Sequence, residues 1–266
     1  MRRHSRRRPS WAWFWLLFAA LYLLLPLYAT LQFSLQVTSD SYGLDWYRKV
    51  LQDPAFRHSL LLSLRLAVET AIISLALMVP TVYWLHLKLP RMRPVVEFIA
   101  MLPFVVPPIA LAVGIIGLFQ NVIWVISSTQ LLAFIYVILA LPFTYRSLDA
   151  GMLAVDIRTL TDASYSVGAS WFQTLWHVIL PNLKSAMLAS AFLTVAIVLG
   201  EYTIASLLLF NTFAVYIQYI GTTQAYEAAA LAILSFGLTW LVMLGIFFLA
   251  WRPGSRRGRA PVAMSR

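Results

Sequence analysis

Residues 11–33, WAWFWLLFAALYLLLPLYATLQF, decide the fold class of this chain. The run contains no charged residue and is long enough to cross a bilayer, which takes about 20 residues as a helix. Five arginines precede it within residues 1–10, and tryptophans at its start fit the aromatic belt of a membrane interface. A signal peptide also combines a basic start with an apolar run, but this run is too long and no small-residue cleavage site follows promptly. We therefore predict an uncleaved first membrane span.

The composition of the whole chain agrees with this prediction. Of its 266 residues, 61% are hydrophobic and only 11% are charged, whereas soluble domains contain roughly 45–50% apolar and about 25% charged residues. This composition excludes an ordinary soluble protein, and its hydrophobicity excludes a disordered one. Because the chain has no cysteine, a disulfide framework, an iron–sulfur cluster and a thiolate zinc site are excluded too. The four histidines are scattered without metal-ligand spacing.

The hydropathy pattern predicts an all-α membrane protein with six transmembrane helices. They form a single transmembrane domain over residues 11–251, between a basic N-terminus (1–10) and a basic tail (252–266). We expect Pro103, Pro107 and Pro108 to break or kink the third span, and residues 210–228 to form a short loop. The predicted spans cover about 11–33, 59–85, 95–118, 131–148, 186–209 and 229–251.

The basic residues predict how the chain lies in the membrane. The formal net charge is +10, and sixteen of the twenty Lys and Arg fall on the side that holds both termini, against three on the other. By the positive-inside rule both termini are expected in the cytoplasm. Orientation then explains the basic charge without a nucleic-acid partner.

Residues 149–185 form a long cytoplasmic segment between the fourth and fifth spans in this topology. Thr159 to Asp162 and Ser170 to Gln173 each have the spacing of a capping box. Gly168 suits a left-handed turn, and Pro181 argues against a continuing regular helix. We predict two short helices, about 160–167 and 171–179, joined by a glycine turn.

The same segment resembles the signature loop of permeases from binding-protein-dependent ABC importers. The family pattern is Glu-Ala-Ala, three residues, Gly, nine residues, Ile, one residue, Leu-Pro. The spacing here is identical, with conservative changes at the first, third and Ile positions; the matching residues are Asp162, Ala163, Ser164, Gly168, Val178, Leu180 and Pro181.

The resemblance implies a type I importer permease with a methionine-importer-like transmembrane fold in a bacterial inner membrane. In such a protein the loop is a coupling helix that enters a groove on a cytoplasmic ATPase. The implied partners are an ATPase dimer, a second permease subunit (identical or different) and an extracytoplasmic solute-binding protein. The chain has no G-x-x-x-x-G-K-[ST] phosphate loop, so we expect no enzyme activity and no bound cofactor, with ATP hydrolysed by the partner. Asp162 either pairs with a basic residue of the ATPase or only completes the capping box.

Ionisable residues inside predicted spans are candidates for the solute pathway, because they are costly in lipid. Glu201, followed by Tyr202, is either a solute or gate contact or a hydrogen-bonded packing carboxylate. Glu69 lies four residues after Arg65, which favours a structural ion pair. The two glutamates, and a short similarity of residues 199–208 to polyamine-type permeases, favour a small cation such as spermidine or putrescine.

Other solutes and other protein classes remain open at this stage. Within the importer class, the alternatives are ferric iron, thiamine, a phosphonate or sulfate. A secondary transporter is a different possibility, but we see no internal repeat. An intramembrane enzyme is another, but no zinc cluster or Ser–His pair is visible in the spans.

Overall fold

The structure is a computed structural model that describes residues 10–38 and 41–250. The predicted basic N-terminus (up to residue 9) and the tail from residue 252 lie outside the described residues. Two short strands, β1 (Gln36–Thr38) and β2 (Ser41–Tyr42), pair antiparallel, and the remaining elements are helical. In chain order the helices are α1 (Ser10–Leu35), α2 (Asp45–Gln52), α3 (Pro54–Leu87), α4 (Arg93–Val105), α5 (Pro108–Phe119), α6 (Ile123–Ile126), α7 (Thr129–Ala154), α8 (Ile157–Ser166), α9 (Trp171–Thr174), α10 (Leu180–Asn182), α11 (Lys184–Gly200), α12 (Thr203–Leu207), α13 (Phe213–Thr223) and α14 (Ala225–Ala250).

The lengths and hydropathy of these helices confirm an all-α membrane protein. Among the described residues, four helices are long and apolar enough to span a bilayer: Trp13–Leu35, Pro54–Leu87, Thr129–Ala154 and Ala225–Gly245. Two bent pairs raise the number to six if each is one span. The apolar side chains of the first span are exposed, as expected of groups that face lipid rather than water.

The third predicted span is broken in two. Helix α4 ends at Val105, α5 begins at Pro108, and the two axes differ by 91°. A residue before proline is driven to extended backbone, so Pro107 and Pro108 in succession place Val106 (ψ 117°) and Pro107 (ψ 136°) outside the helical region. The expected effect of these prolines is therefore a sharp bend. Pro103, in contrast, lies inside α4.

The prediction of one continuous span over 186–209 is wrong. Helix α11 ends at Gly200, and α12 begins anew at Thr203. The Glu201 carboxylate accepts hydrogen bonds from the backbone N–H groups of Ile204 (2.7 Å) and Ala205 (3.2 Å), which stabilises the new helix start. Residues 210–228 are not a simple loop either, because they contain α13.

The described residues fall into two compact units. One unit contains the described residues up to Ser63 together with Gly200–Leu238. The other contains Leu64–Leu199 and the described residues from Thr239 onward. The core of the first unit brings together Val50 and Phe56 with residues of α13 and α14. The core of the second unit joins α3, α4, α7 and α11. In this unit a Cβ on Gly151 would collide with the side chain of Ala186, so glycine permits the close approach of α7 and α11.

Candidate coupling site

Helix α8 is the first helix of the segment that resembles the signature loop, and it begins earlier than predicted. Its N-cap is Asp156, whose carboxylate accepts hydrogen bonds from the Thr159 backbone N–H (3.2 Å) and hydroxyl (2.7 Å). These hydrogen bonds lower the pKa of the Asp156 carboxyl. The predicted capping box from Thr159 to Asp162 is therefore wrong. The helix starts at Ile157 because that side chain packs in the core of its unit, only 4% exposed, directly after a good cap.

Gly168 ends α8 in the left-handed turn that the sequence predicts. Its φ is +83°, a region that residues with a Cβ enter only at a cost. The N–H of Gly168 donates to the Tyr165 carbonyl (2.9 Å), and that of Ala169 donates to the Ser164 carbonyl (3.1 Å). The second bond runs from the sixth residue back to the first, as in a Schellman motif. The chain thus reverses tightly and starts the second helix.

The capping box from Ser170 to Gln173 is confirmed. The Ser170 hydroxyl accepts from the Gln173 N–H (3.3 Å), and the Gln173 side chain accepts from the Ser170 N–H (2.8 Å). The helix then runs beyond the predicted end at 179, through a π-helical turn (Leu175–Ile179) into α10. Pro181 does not stop the helix, because the π-helical turn just before it has hydrogen bonds between residues five apart instead of four. This wider turn avoids the clash between the proline ring and the carbonyl four residues earlier. The direction changes instead at Leu183, where a bend of 75° leads into α11.

Buried contacts attach this helix pair to its unit. The Tyr83 hydroxyl of α3 lies 3.0 Å from the Thr161 hydroxyl, and both side chains are buried. The Thr174 hydroxyl donates to the Ser164 hydroxyl (3.1 Å), so the serine that departs from the family alanine joins the two helices. An apolar row on the second helix packs in the core: Leu175, Ile179 and Leu183. Sequence reasoning missed Tyr83, Thr161 and Thr174, because each of them meets a partner that is 10 or 78 residues away along the chain.

The opposite surface of the pair is exposed and largely apolar. Val167 is 83% exposed, Phe172 63% and Trp176 59%, and the last two rings stack at 6.0 Å. Asp162 and Ala163 are exposed on the same pair, and within the described residues the Asp162 carboxylate forms no hydrogen bond or ion pair. Of the other signature residues, Ser164 is buried, Leu180 packs partly against the core and Pro181 is exposed.

A charged cluster joins three helix ends, and one of them, the end of α7, comes just before this pair in the chain. Asp149, near the end of α7, accepts hydrogen bonds from Arg93 Nη2 at 2.9 and 3.1 Å. His86 Nε2 lies 2.7 Å from the same carboxylate. The cluster, which we call the Asp149 cluster (His86, Arg93, Asp149), connects α3, α4 and α7. Sequence reasoning missed it because the partners are 56 and 63 residues away along the chain.

Both glutamate candidates for the solute pathway have partners within their own unit of the structure. Glu201 caps α12, and Tyr202 next to it is 44% exposed. Glu69 pairs with Arg65 at 2.7 Å, four residues apart on α3, as the spacing predicts. Glu227, which sequence reasoning missed, is almost fully buried and pairs with Lys49.

The fold and this helix pair define a class: a multi-pass, all-α membrane protein with a capped pair of short helices between apolar helices. Residues 86–252 match the family described as binding-protein-dependent transport system inner membrane component, and the chain belongs to that family. It is therefore a multi-pass inner-membrane protein.

Individual relatives cover parts of the chain. It is 32% identical over 165 residues to the molybdate/tungstate transport system permease protein WtpB of Pyrococcus abyssi, covering 62% of this chain and 65% of the relative. It is 33% identical over 95 residues to the ferric transport system permease protein FbpB of Actinobacillus pleuropneumoniae, covering 35% of this chain and 14% of the relative. It is 28% identical over 173 residues to the glycine betaine/carnitine transport permease protein GbuB of Listeria monocytogenes, covering 63% of this chain and 53% of the relative. The matches thus span less than two thirds of each relative.

Proposed function

We propose that this chain is the membrane-spanning subunit of an ATP-driven importer and forms half of the solute pathway. A separate ATPase dimer drives it, a second permease subunit completes the pathway, and an extracytoplasmic binding protein delivers the solute. Family membership supports this proposal, and so does the absence of a phosphate-loop motif from the sequence. We place both termini and the helix pair in the cytoplasm on the excess of basic residues. Because the chain has no cysteine, a single cysteine at Phe172 can be labelled from one side at a time to test this.

The observation that carries the proposal is the helix pair α8–α9 with its exposed surface. The Tyr83–Thr161 contact attaches the pair to α3, and the Thr174–Ser164 contact joins its two helices. Its other face presents large apolar side chains that soluble surfaces rarely gather. We propose that Phe172 and Trp176 enter an apolar groove of the ATPase, and that Asp162 meets a basic residue at its edge.

The experiment uses two substitutions at Gly168. A Cβ there would meet nothing within 4 Å, so any cost comes from the backbone conformation and not from crowding. Valine strongly disfavours the positive φ, whereas asparagine tolerates it. In proteoliposomes with the ATPase and binding protein, we expect Gly168→Val to abolish solute-stimulated ATP hydrolysis and uptake, and Gly168→Asn to retain most of both.

Two results would contradict the proposal. Uptake that persists without any ATPase would exclude an ATP-driven importer. Equal activity of the Val and Asn variants, with the complex intact, would show that the turn at Gly168 has no part in coupling.

We also propose the chemical class of the solute. The expectation of a polyamine rests on Glu201 and Glu69, but these carboxylates already bind backbone N–H groups and Arg65. The matched relatives named above are permeases for molybdate/tungstate, ferric iron and glycine betaine/carnitine. We therefore propose a small tetrahedral oxyanion as the first solute to test, with ferric iron and spermidine as the competing arms of the uptake assay. ATP-dependent uptake of spermidine alone would restore the polyamine prediction.

A further inference from the structure

A large apolar groove lies beside the helix pair, within the unit that contains residues 64–199. Its volume is about 800 Å³, and it is bounded by the end of α3, the start of α4, and one residue from the end of α8 and one from the start of α9. Nearly all of its wall is apolar. The groove-lining residues include Pro80, Trp84, Leu89, Met92, Val96 and Trp171.

A smaller and more polar cleft of about 250 Å³ adjoins this groove. The two share Trp84, Lys88, Tyr165 and Trp171, so one occupant can enter both. The cleft adds Arg158 and Asp162 to the shared lysine, and these three are the charged side chains that line it. An apolar body attached to a polar head matches this pair of cavities.

The charge of the cleft favours an anionic head. Three other cations of this unit, Arg65, Arg93 and Arg146, each lie within ion-pair distance of a carboxylate. Lys88 and Arg158 are exposed and form no ion pair among the residues that the structure describes. The charged side chains that line the cleft, Lys88, Arg158 and Asp162, have a net positive formal charge, and the Asp156 carboxylate beyond the lining interacts electrostatically with Arg158.

The residues around the groove have the composition typical of a span end at the membrane–water interface. Helix α3 is long enough to span the bilayer and ends at Leu87, so Lys88 follows directly after the span. Trp84 and Trp171 are 53% and 37% exposed, and tryptophan is enriched at the membrane–water interface. Basic pockets between transmembrane helices at this level bind anionic lipid headgroups.

We propose that this groove and cleft bind one anionic phospholipid. Its acyl chain fills the apolar groove, and its phosphate contacts Lys88 and Arg158. Since Tyr165 and Trp171 belong to the helix pair, the lipid touches the segment that we assign to coupling. The lipid site itself requires only that the chain lies in a membrane.

The test titrates the delipidated full chain in detergent with phosphatidylglycerol or phosphatidylcholine and counts bound lipid by native mass spectrometry. We expect selective binding of one phosphatidylglycerol. Lys88→Gln and Arg158→Gln should each weaken it about fivefold, because a basic residue near the lipid surface contributes about 1 kcal/mol. Thr81→Trp, which fills the groove wall, should weaken both lipids alike.

Lys184→Gln is the matched control, since Lys184 is exposed, forms no ion pair among the described residues and lines neither cavity. It should leave lipid binding unchanged. Phosphatidylglycerol should raise the Tm of the wild type and of this control, but not that of the Lys88→Gln, Arg158→Gln double variant. Equal binding of the two lipids, or an equal loss in Lys184→Gln, would overturn the proposal. Neither result depends on the ATPase.

Discussion

Glu201 shows how one carboxylate stabilises the start of a helix. It lies directly after Gly200, and its two oxygens accept the N–H groups of Ile204 and Ala205. Orphan N–H groups at a helix start need such acceptors, above all where lipid or apolar side chains exclude water. These two hydrogen bonds are those of a capping residue, and a contact with solute stays a prediction.

Substitution at Glu201 separates these two roles. Glu201→Ala should destabilise the chain by about 1 kcal/mol, the usual effect of losing a helix cap. Glu201→Gln keeps one acceptor oxygen and should lose part of this amount. We expect uptake to fall in parallel with Tm across the two variants. If Glu201→Gln instead reduces uptake while the Tm of this variant matches that of the wild type, the carboxylate acts on the solute.

At the scale of elements, the helix pair depends on its caps. Helix α8 has only 10 residues, and α9 has 4 before the π-helical turn. Isolated helices of this length are marginal in water. Asp156, Gly168 and the Ser170–Gln173 box therefore determine where each helix starts and ends, and the buried contacts with α3 hold the pair in place.

The cap at Asp156 should make the start of α8 sensitive to pH. Because hydrogen bonds from Thr159 lower the pKa of this carboxyl below its ordinary value of 3.8, its ionised form stabilises the fold. That contribution is complete above the ordinary value and disappears as the pH falls through the lowered pKa. The measurement is the protection of the Thr159 amide against hydrogen exchange, corrected for the intrinsic rate at each pH. Protection should decrease at acidic pH in the wild type.

Asp156→Asn serves as the control for this prediction. Asparagine caps helices about as well as aspartate but does not titrate. Its protection should therefore remain flat over the same pH range. A parallel decrease in both proteins would show that acid acts elsewhere in the chain.

At the scale of the molecule, the Asp149 cluster connects helices far apart in sequence. Its carboxylate is 20% exposed and His86 is 10% exposed, so the interaction is better shielded from water than a surface pair. The cluster holds the ends of α3, α4 and α7 together just before the chain enters α8. We expect a movement of the helix pair to be transmitted to these three helices as a group.

Asp149→Asn tests the strength of this connection. Hydrogen bonds to charged groups contribute about 1.5–3 kcal/mol, and we expect a loss in that range, measured by denaturant unfolding in detergent. The matched control is Glu97→Gln, which removes a carboxylate that lies 3.6 Å from Arg146 and is 49% exposed. Such surface pairs contribute about 0–1 kcal/mol. Similar losses in the two variants would mean that Asp149 makes no special connection.

Local features of the chain could be predicted from the sequence alone. Hydropathy over about 20 residues identifies a membrane protein, whatever its tertiary contacts. The turn at Gly168 and the cap at Ser170 involve interactions within three to five residues, so their spacing is visible in the sequence. Prolines 107 and 108 act on their own backbone, and their effect was likewise foreseen.

Only the tertiary structure decided the remaining features, because they depend on partners distant in sequence. The Tyr83–Thr161 contact joins residues that are 78 positions apart in the sequence, and the His86–Asp149 contact joins residues that are 63 positions apart. Burial of Ile157 sets the start of α8 after the cap Asp156, whereas the sequence analysis predicted a cap at Thr159. The groove beside the helix pair is lined by residues of α3, α4 and the pair, which are far apart in sequence. Hydropathy identifies which segments enter the membrane, but packing decides which side chains meet there.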